Sequence, residues 1–152
     1  MATYVNDLRL KEIGTGESSG TWGTETNVNL ELIGEAMGYA TKAVADASTS
    51  TITMPDGTAT GGELRSLYLK LTGGGQASTV TLAPNTVSKV WFIENATSYT
   101  LTFTMGSGAN VAVLAGQTKS IASDGAGSGA ALYDVMTDLS VAGDFFVANT
   151  IQ

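Results

Sequence analysis

Acidic side chains in the C-terminal part of the sequence are candidates for chemistry, because clustered carboxylates can bind a cation or act as general acid and base. The candidates are Asp124, Asp134, Asp138 and Asp144. Their spacing differs from the ligand spacing of an EF-hand loop, and no second carboxylate cluster completes a catalytic pair. We therefore interpret them as solvated side chains in turns and at strand ends.

Two residue types that most enzymes use are missing from the chain, which contains no histidine and no cysteine. Without them the sequence lacks the commonest general base, thiolate nucleophiles, thiolate metal sites and disulfides. A serine or threonine nucleophile would need lysine as its base or an N-terminal threonine, and the Gly-x-Ser-x-Gly sequence is absent. The sequence predicts a protein that is not an enzyme, with no catalytic residues, no metal site and no cofactor.

Two glycine-rich stretches, 106–110 and 125–130, have the composition of loops that hold phosphate groups. Neither precedes a predicted helix, and neither contains the Lys-Ser/Thr pair of a P-loop. We interpret both stretches as hairpin turns.

The charge balance indicates which partners to expect. Seven basic and fourteen acidic residues give a formal net charge of −7, which is the wrong sign for binding a phosphate backbone. No apolar run is long enough to span a membrane, and the N-terminus lacks the apolar block of a signal peptide. We expect neither nucleic acid binding nor membrane insertion.

The N-terminal region reads as an extended arm followed by one helix. Leu8, Leu10 and Ile13 are the apolar residues of the arm, and a flexible loop follows them. A period of three to four residues then predicts a helix over 26–46, with Thr24 as its N-cap.

After Ser48 the apolar period changes to two, which predicts short strands separated by glycine, asparagine and aspartate. The predicted strands are 49–54, 63–72, 77–83, 88–95, 99–105, 110–114, 117–123 and 130–137. About eight such strands predict a mainly β protein, an antiparallel β-sandwich or jelly roll preceded by the arm and the helix. Within 88–95, we expect Trp91 in the core and Phe92 against a second sheet or a neighbour.

One short segment carries the strongest sequence signal. It is Gly20-Thr21-Trp22-Gly23, followed by Asn27, Asn29, Leu30 and Ile33. This pattern resembles the Gly-Thr-Trp-Gly-x3-Asn-x-Asn-Leu opening of many phage tail-fibre and other virion proteins. The stretches 1–13, 89–97, 106–111 and 124–131 extend the likeness to nearly everything before Asp138. The chain resembles an N-terminal module of tail fibres from marine short-tailed phages (podoviruses), including cyanophages.

The resemblance implies a virion structural protein, the tail-attachment module of a fibre that serves host recognition. It implies a homotrimer located in the virion tail, assembled in the host cytoplasm and bound to tail adaptor or nozzle proteins. A host-surface glycan would be contacted through a downstream tip. The alternatives are a capsid decoration or head-fibre protein, and a glycan-binding module that uses exposed tyrosines such as Tyr68, Tyr99 and Tyr133.

These expectations divide the chain into three parts. Residues 1–47 form the tail-docking arm and helix, 48–137 the β-domain, and 138–152 a segment leading to a shaft or a subunit interface. The predicted interface residues are Leu8, Leu10, Ile13, Trp22, Asn27, Asn29, Leu30, Ile33, Phe145 and Phe146. For Trp22 two roles stay open, a cap over its own helix and an anchor in a partner.

Overall fold

The computed structural model describes residues 2–58 and 60–137. Within them it contains one α-helix and nine β-strands, so the prediction of a mainly β chain with one helix is confirmed. The helix α1 spans Trp22–Ala36. The strands are β1 (Tyr39–Val44), β2 (Thr49–Thr53), β3 (Tyr68–Gly73), β4 (Ser78–Ala83), β5 (Val90–Asn95), β6 (Leu101–Thr104), β7 (Val111–Val113), β8 (Thr118–Ser123) and β9 (Leu132–Asp134). Single 3-10 turns lie at Glu63–Arg65 and Gly127–Gly129.

The strands form two sheets whose members alternate along the chain. A five-stranded sheet has the order β1-β3-β5-β8-β9, and a four-stranded sheet has the order β2-β4-β6-β7. From β1 to β6 successive strands belong to alternate sheets, so the chain winds like a short β-solenoid. We call the two sheets together the coil. The pairs within β1-β3-β5 and β2-β4-β6 are parallel. The strands β7, β8 and β9 complete the sheets with antiparallel pairs.

The antiparallel jelly roll that the sequence suggested is not confirmed, because both sheets are mixed. Period-two alternation is the same in parallel and antiparallel strands, so it carries no information on strand direction. The hairpin turns predicted at 106–110 and 125–130 are confirmed, since they join the antiparallel pairs β6/β7 and β8/β9.

Inward side chains of both sheets form one core. Val80 and Phe103 are paired in the four-stranded sheet, Trp91 and Ile121 in the five-stranded sheet, and all four are completely buried. The prediction that Trp91 faces the core is therefore confirmed. Its indole N–H donates to the carbonyl of Leu64 at 2.7 Å, so the polar atom of the ring is satisfied.

A buried asparagine organises the turn between β5 and β6. Asn95 Nδ2 donates to the carbonyls of Tyr99 and Val113, each at 2.8 Å. Its Oδ1 accepts hydrogen bonds from the backbone N–H and the hydroxyl of Thr97. The side chain thus fixes a tight connection between the sheets without leaving a buried polar group unpaired.

The helix lies earlier in the chain than 26–46. It starts at Trp22, its N-cap is Thr21 and not Thr24, and no side chain caps its first turn. Trp22 therefore belongs to the helix itself.

The C-terminal half of the predicted helix is a strand. Residues 39–44 form β1 and pair in parallel with β3. Gly38 follows the helix, and a glycine there weakens helix propagation. Backbone pairing with β3 and burial of Val44 then outweigh the helical spacing of the apolar residues.

The N-terminal arm, residues 2–20, is fastened to the loops that follow β2 and β4. Arg9 Nε pairs with Asp56 at 2.7 Å, and Asp7 Oδ1 accepts the backbone N–H of Ser88 at 2.7 Å. These bonds hold the arm, and with it the start of α1, on one side of the coil.

Candidate protein interface

Four apolar side chains lie exposed along one side of α1. Trp22 is 65 % exposed, Leu30 61 %, Ile33 42 % and Met37, at the C-cap, 74 %. Because an α-helix turns through about 100° per residue, their spacing places all four within about a quarter of its circumference. We call these four residues the helix stripe. Large apolar side chains grouped in water mark an interaction surface.

The side of α1 next to the helix stripe is held by a small set of contacts. Leu32 and Ala36 are buried, and the amide of Asn29 exchanges two hydrogen bonds with the backbone of Lys11, at 2.9 and 3.0 Å. Lys11 also pairs with Glu25 at 2.5 Å. This ion pair raises the pKa of Lys11 and lowers the pKa of Glu25. The arm and the helix therefore behave as one unit.

A buried arginine joins this unit to the coil. Arg65 is completely buried, and its guanidinium donates to Glu35 Oε2 at 3.0 Å and to three backbone carbonyls. These carbonyls belong to Leu8 at 2.9 Å, Pro55 at 2.7 Å and Thr58 at 3.3 Å. One side chain thus ties together the arm, the helix and the loop after β2, with its charge balanced by a carboxylate.

Sequence reasoning missed Arg65, because a single basic residue inside a predicted strand carries no signal. Gly62 is the sequence feature that corresponds to the buried position of Arg65. A Cβ at that position would lie 2.3 Å from Arg65 Nη1, so the guanidinium needs glycine beside it.

The apolar residues predicted for docking in the arm are partly covered. Leu8, Leu10 and Ile13 are each half-buried, and an isolated antiparallel bridge between Thr3 and Glu12 folds the arm back on itself. They offer less free surface than the helix stripe does.

The two asparagines of the sequence motif have different surroundings. Asn29 binds the arm, as described above, whereas Asn27 is exposed and its side chain makes no hydrogen bond within the described residues. Four further candidates lie outside the described residues: Asp138, Asp144, Phe145 and Phe146.

A second group of aromatic side chains lies on the outer face of the five-stranded sheet. Tyr39, Tyr68 and Phe92 are paired in register across β1, β3 and β5. The two tyrosine rings stack with centroids 5.4 Å apart and an interplanar angle of 20°. We call these three residues the aromatic row. Beside it Glu94 accepts from Lys70 and from the Tyr68 hydroxyl, each at 2.9 Å, and these contacts lower its pKa.

The candidate carboxylates that the structure describes have structural partners. Asp124 accepts the backbone N–H groups of Ala131 and Ala126, which lower its pKa. Asp134 pairs with Lys119 at 2.8 Å, and this contact lowers its pKa. Within 2–58 and 60–137 no group of three or more acidic side chains converges on a possible metal position. The two aspartates hold turns and a strand edge.

In comparison with known proteins, no family model, no curated protein and no solved structure matches the chain. The described part of the chain also has no helix of the length and apolarity needed to cross a membrane. A functional assignment therefore rests on the surface chemistry described above and on the resemblance of the sequence motif.

Proposed function

We propose that this protein is a virion structural protein without catalytic activity, the tail-attachment module of a phage tail fibre. The helix stripe is the observation that carries the proposal. It presents four exposed apolar side chains on a helix that Arg65 and the arm fix to a compact coil. A prebuilt surface of this kind binds a partner with little rearrangement. The motif around Trp22 supports a tail adaptor or nozzle protein as that partner.

Trp22 is the best single anchor in the helix stripe. A tryptophan that is 65 % exposed offers a large apolar surface, and buried tryptophans are enriched among interface hot spots. Its position at the start of α1 leaves the ring free of the coil, which favours the anchor role over a cap on its own helix. We expect its truncation to weaken binding by about 2 kcal/mol or more.

The charges around the helix stripe define the partner further. Residues 1–46 contain seven acidic and three basic residues, and α1 contains three glutamates and no lysine or arginine. A partner with an apolar patch and a basic rim would be steered to this end of the molecule. Attachment should therefore weaken as salt concentration rises.

We also propose that the module works as a homotrimer in the virion tail. Repeated copies multiply a modest interface into strong attachment through avidity. Phe145 and Phe146 lie outside the described residues, so their part in a subunit contact stays a prediction.

The decisive test first locates gold-labelled protein in the virion. It then truncates two side chains of the helix stripe. Virions would be assembled with wild-type protein, with Trp22→Ala and with Leu30→Ala, and occupancy measured by quantitative mass spectrometry. Leu114→Ala is the matched control, because Leu114 is 52 % exposed on the turn after β7 and Leu30 is 61 % exposed. A loss of about 2 kcal/mol corresponds to a binding constant about 30-fold lower.

We expect gold-labelled protein at the tail, reduced occupancy for both helix variants and normal occupancy for the control. Label on the head surface would replace the proposal with a capsid decoration or head-fibre protein. Folded Trp22→Ala protein at full occupancy would limit Trp22 to capping its helix.

The aromatic row favours a second candidate function, the binding of a host-surface glycan. Stacked rings beside Lys70 and Glu94 combine an apolar platform with hydrogen-bonding groups, which is the usual composition of a ligand site. Tyr99 and Tyr133, expected as parts of such a platform, lie outside the row. Glycan-array binding that Tyr39→Ala abolishes and Tyr133→Ala preserves would support this function, and an array without any binding would reject it.

A further inference from the structure

A small pocket lies between the last turn of α1, the start of β1 and the 3-10 turn Glu63–Arg65. Its volume is about 250 Å³, and its lining includes Glu35, Tyr39, Glu63 and Ser66. We call it the carboxylate pocket. Sites for drug-sized ligands have volumes of about 300–1,000 Å³. The carboxylate pocket is smaller, so it suits a single small chemical group.

Each of the two carboxylates has one oxygen bound to a cation of the chain and one oxygen without a donor. Glu35 Oε2 accepts from Arg65 Nη1 at 3.0 Å, and Glu63 Oε1 accepts from Lys42 Nζ at 3.2 Å. The second oxygens, Glu35 Oε1 and Glu63 Oε2, accept no hydrogen bond within residues 2–58 and 60–137, and Glu63 Oε2 is buried. Buried polar atoms normally have a partner. These oxygens therefore lack donors that a ligand could supply.

Ser66 is a separate indication of a ligand. It lines the pocket although it is only 5 % exposed, and its hydroxyl makes no hydrogen bond within the described part of the chain. Its backbone N–H donates to the carbonyl of Glu63 at 3.2 Å, which fixes the residue at the end of the 3-10 turn. The pocket thus contains a third side-chain oxygen that can accept a hydrogen bond.

Two further features favour a cation as the ligand. The Tyr39 ring lines the pocket, and its stacking on Tyr68 holds it in place. The face of a tyrosine ring attracts a cation that lies within about 6 Å of its centroid. The last turn of α1 has no basic residue, so no positive side chain of the helix balances its carbonyl end. An anion would find no free cation here, because Arg65 and Lys42 are paired with the two carboxylates.

We propose that the carboxylate pocket binds a primary ammonium group carried on an unbranched alkyl chain. An ammonium has three N–H donors, which match the free oxygens of Glu35, Glu63 and Ser66 in number. The terminal torsion of a glutamate side chain is broad, so Glu63 can turn its free oxygen toward the ligand. The alkyl carbons next to the nitrogen then pack on the Tyr39 ring.

The same ammonium chemistry has two sources, a lysine side chain of a partner protein and a free diamine. Neither source depends on the attachment proposed above, since none of the four residues of the helix stripe lines the pocket. The carboxylate pocket is a separate binding site.

The test titrates the full chain, labelled with ¹⁵N, with butylammonium chloride and follows the amide resonances of Gly61 and Gly62, which line the pocket. Tetramethylammonium chloride is the matched probe, because it has the same charge but no N–H donor. The variants are Ser66→Ala, which leaves both ion pairs intact, and Glu63→Gln. Glu31→Gln is the control, an exposed position on α1 without an ion pair in the described chain. Circular dichroism checks that each variant folds.

We expect butylammonium to shift both glycine resonances in a saturable way and tetramethylammonium to bind at least tenfold more weakly. Glu63→Gln should weaken binding of butylammonium by about tenfold or more, because a hydrogen bond to a charged group is lost. Ser66→Ala should weaken it several-fold, and Glu31→Gln should leave it unchanged. The absence of a saturable shift in the wild type overturns the proposal. Equal binding of the two probes, or an equal loss in Glu31→Gln, also overturns it.

Two further probes distinguish the sources of the ammonium group. A blocked Gly-Lys-Gly peptide that binds as tightly as butylammonium supports a lysine side chain of a partner. Binding of 1,4-diaminobutane without binding of the peptide supports a free diamine.

Discussion

The two sheets share one core but differ completely on their outer faces. The five-stranded sheet exposes the aromatic row, the Lys70–Glu94 pair and, at its edge, the Lys119–Asp134 pair. The four-stranded sheet exposes threonine and alanine, and its strands contain no charged residue. Inward side chains of both sheets pack in the shared core and are therefore similar, whereas outward side chains do not pack there and can differ between the sheets. The outer face of the five-stranded sheet therefore carries titratable and aromatic side chains, and that of the four-stranded sheet carries neutral side chains with hydroxyl groups.

The largest expected effect tests whether the core couples the two sheets. Trp91→Ala and Phe103→Ala each empty a completely buried position, one in each sheet, and each should lower the free energy of unfolding by about 3–5 kcal/mol. Trp91→Ala should lie at the upper end, because it also leaves the Leu64 carbonyl without its donor. Urea unfolding followed by circular dichroism measures both.

A single cooperative transition in both variants would confirm one shared core. Two separate transitions in Phe103→Ala, with the five-stranded sheet unaffected, would show that the sheets unfold independently.

The next effect concerns the attachment of the arm and helix to the coil. Arg65→Met removes the donor of three carbonyls and the cation that pairs with Glu35. Breaking a buried pair costs about 3–5 kcal/mol, and partial exposure of Glu35 places this case near the lower value. The rate of amide hydrogen exchange should rise more in the arm than in the rest of the described chain.

The control for that prediction is Arg9→Met, which removes the partly exposed pair with Asp56. We expect a loss of about 1 kcal/mol or less. An arm that stays protected in Arg65→Met would contradict the role of Arg65 as its anchor.

The sequence predicted the positions of the strands better than their direction and pairing. Alternation of buried and exposed residues placed eight strands, yet it missed β1, where Leu30 to Val44 keep a helical spacing. The predicted antiparallel direction was wrong for the pairs among β1 to β6, because the connections between these strands join different sheets, which the residues of a turn do not reveal. The repeated Thr-x-Thr triplets at 49–51, 79–81 and 102–104 are the visible trace of the coil.

The sequence indicated part of the helix stripe, and its role as an interface stays a prediction. The motif led to Trp22, Leu30 and Ile33, and all three are exposed in the helix stripe. Tyr68 was expected to be exposed and Phe92 to face away from the core, whereas Met37 and Tyr39 were missed, because an apolar residue in a regular pattern is normally buried. Exposure depends on what packs against the element, and a single sequence does not contain that information.

A smaller effect comes from Lys89, next to β5 in the five-stranded sheet. Burial lowers its pKa to about 8, from 10.5. Between these values the unfolded chain binds more protons than the folded chain, so stability should rise with pH from about 8 to 10.5. Lys89→Met should remove this rise when urea midpoints are measured across the range. Equal slopes for variant and wild type would contradict the assignment.

The smallest expected effect is a difference in acid sensitivity between the two sheets. Lys70 and the Tyr68 hydroxyl lower the pKa of Glu94 below 4.5, and Lys119 lowers the pKa of Asp134 below 3.8. A lowered carboxyl pKa adds stability above the unfolded value, and this contribution is lost as pH falls through the folded value. Both groups belong to the five-stranded sheet, so acid should loosen that sheet before the four-stranded sheet.

Glu94→Gln isolates this contribution. Carboxyl groups titrate between about pH 6 and about pH 3. Over this range the urea midpoint of Glu94→Gln should fall less than that of the wild type. Glu31→Gln removes the same charge from an exposed position on α1 that has no ion pair within the described residues, and should follow the wild type. Amide exchange on β4 and β6 should change later than on β3 and β5, because the four-stranded sheet has no titratable side chain on its strands. Simultaneous loosening of both sheets would mean that the outer faces do not act separately and that the shared core transmits each local loss to the whole coil.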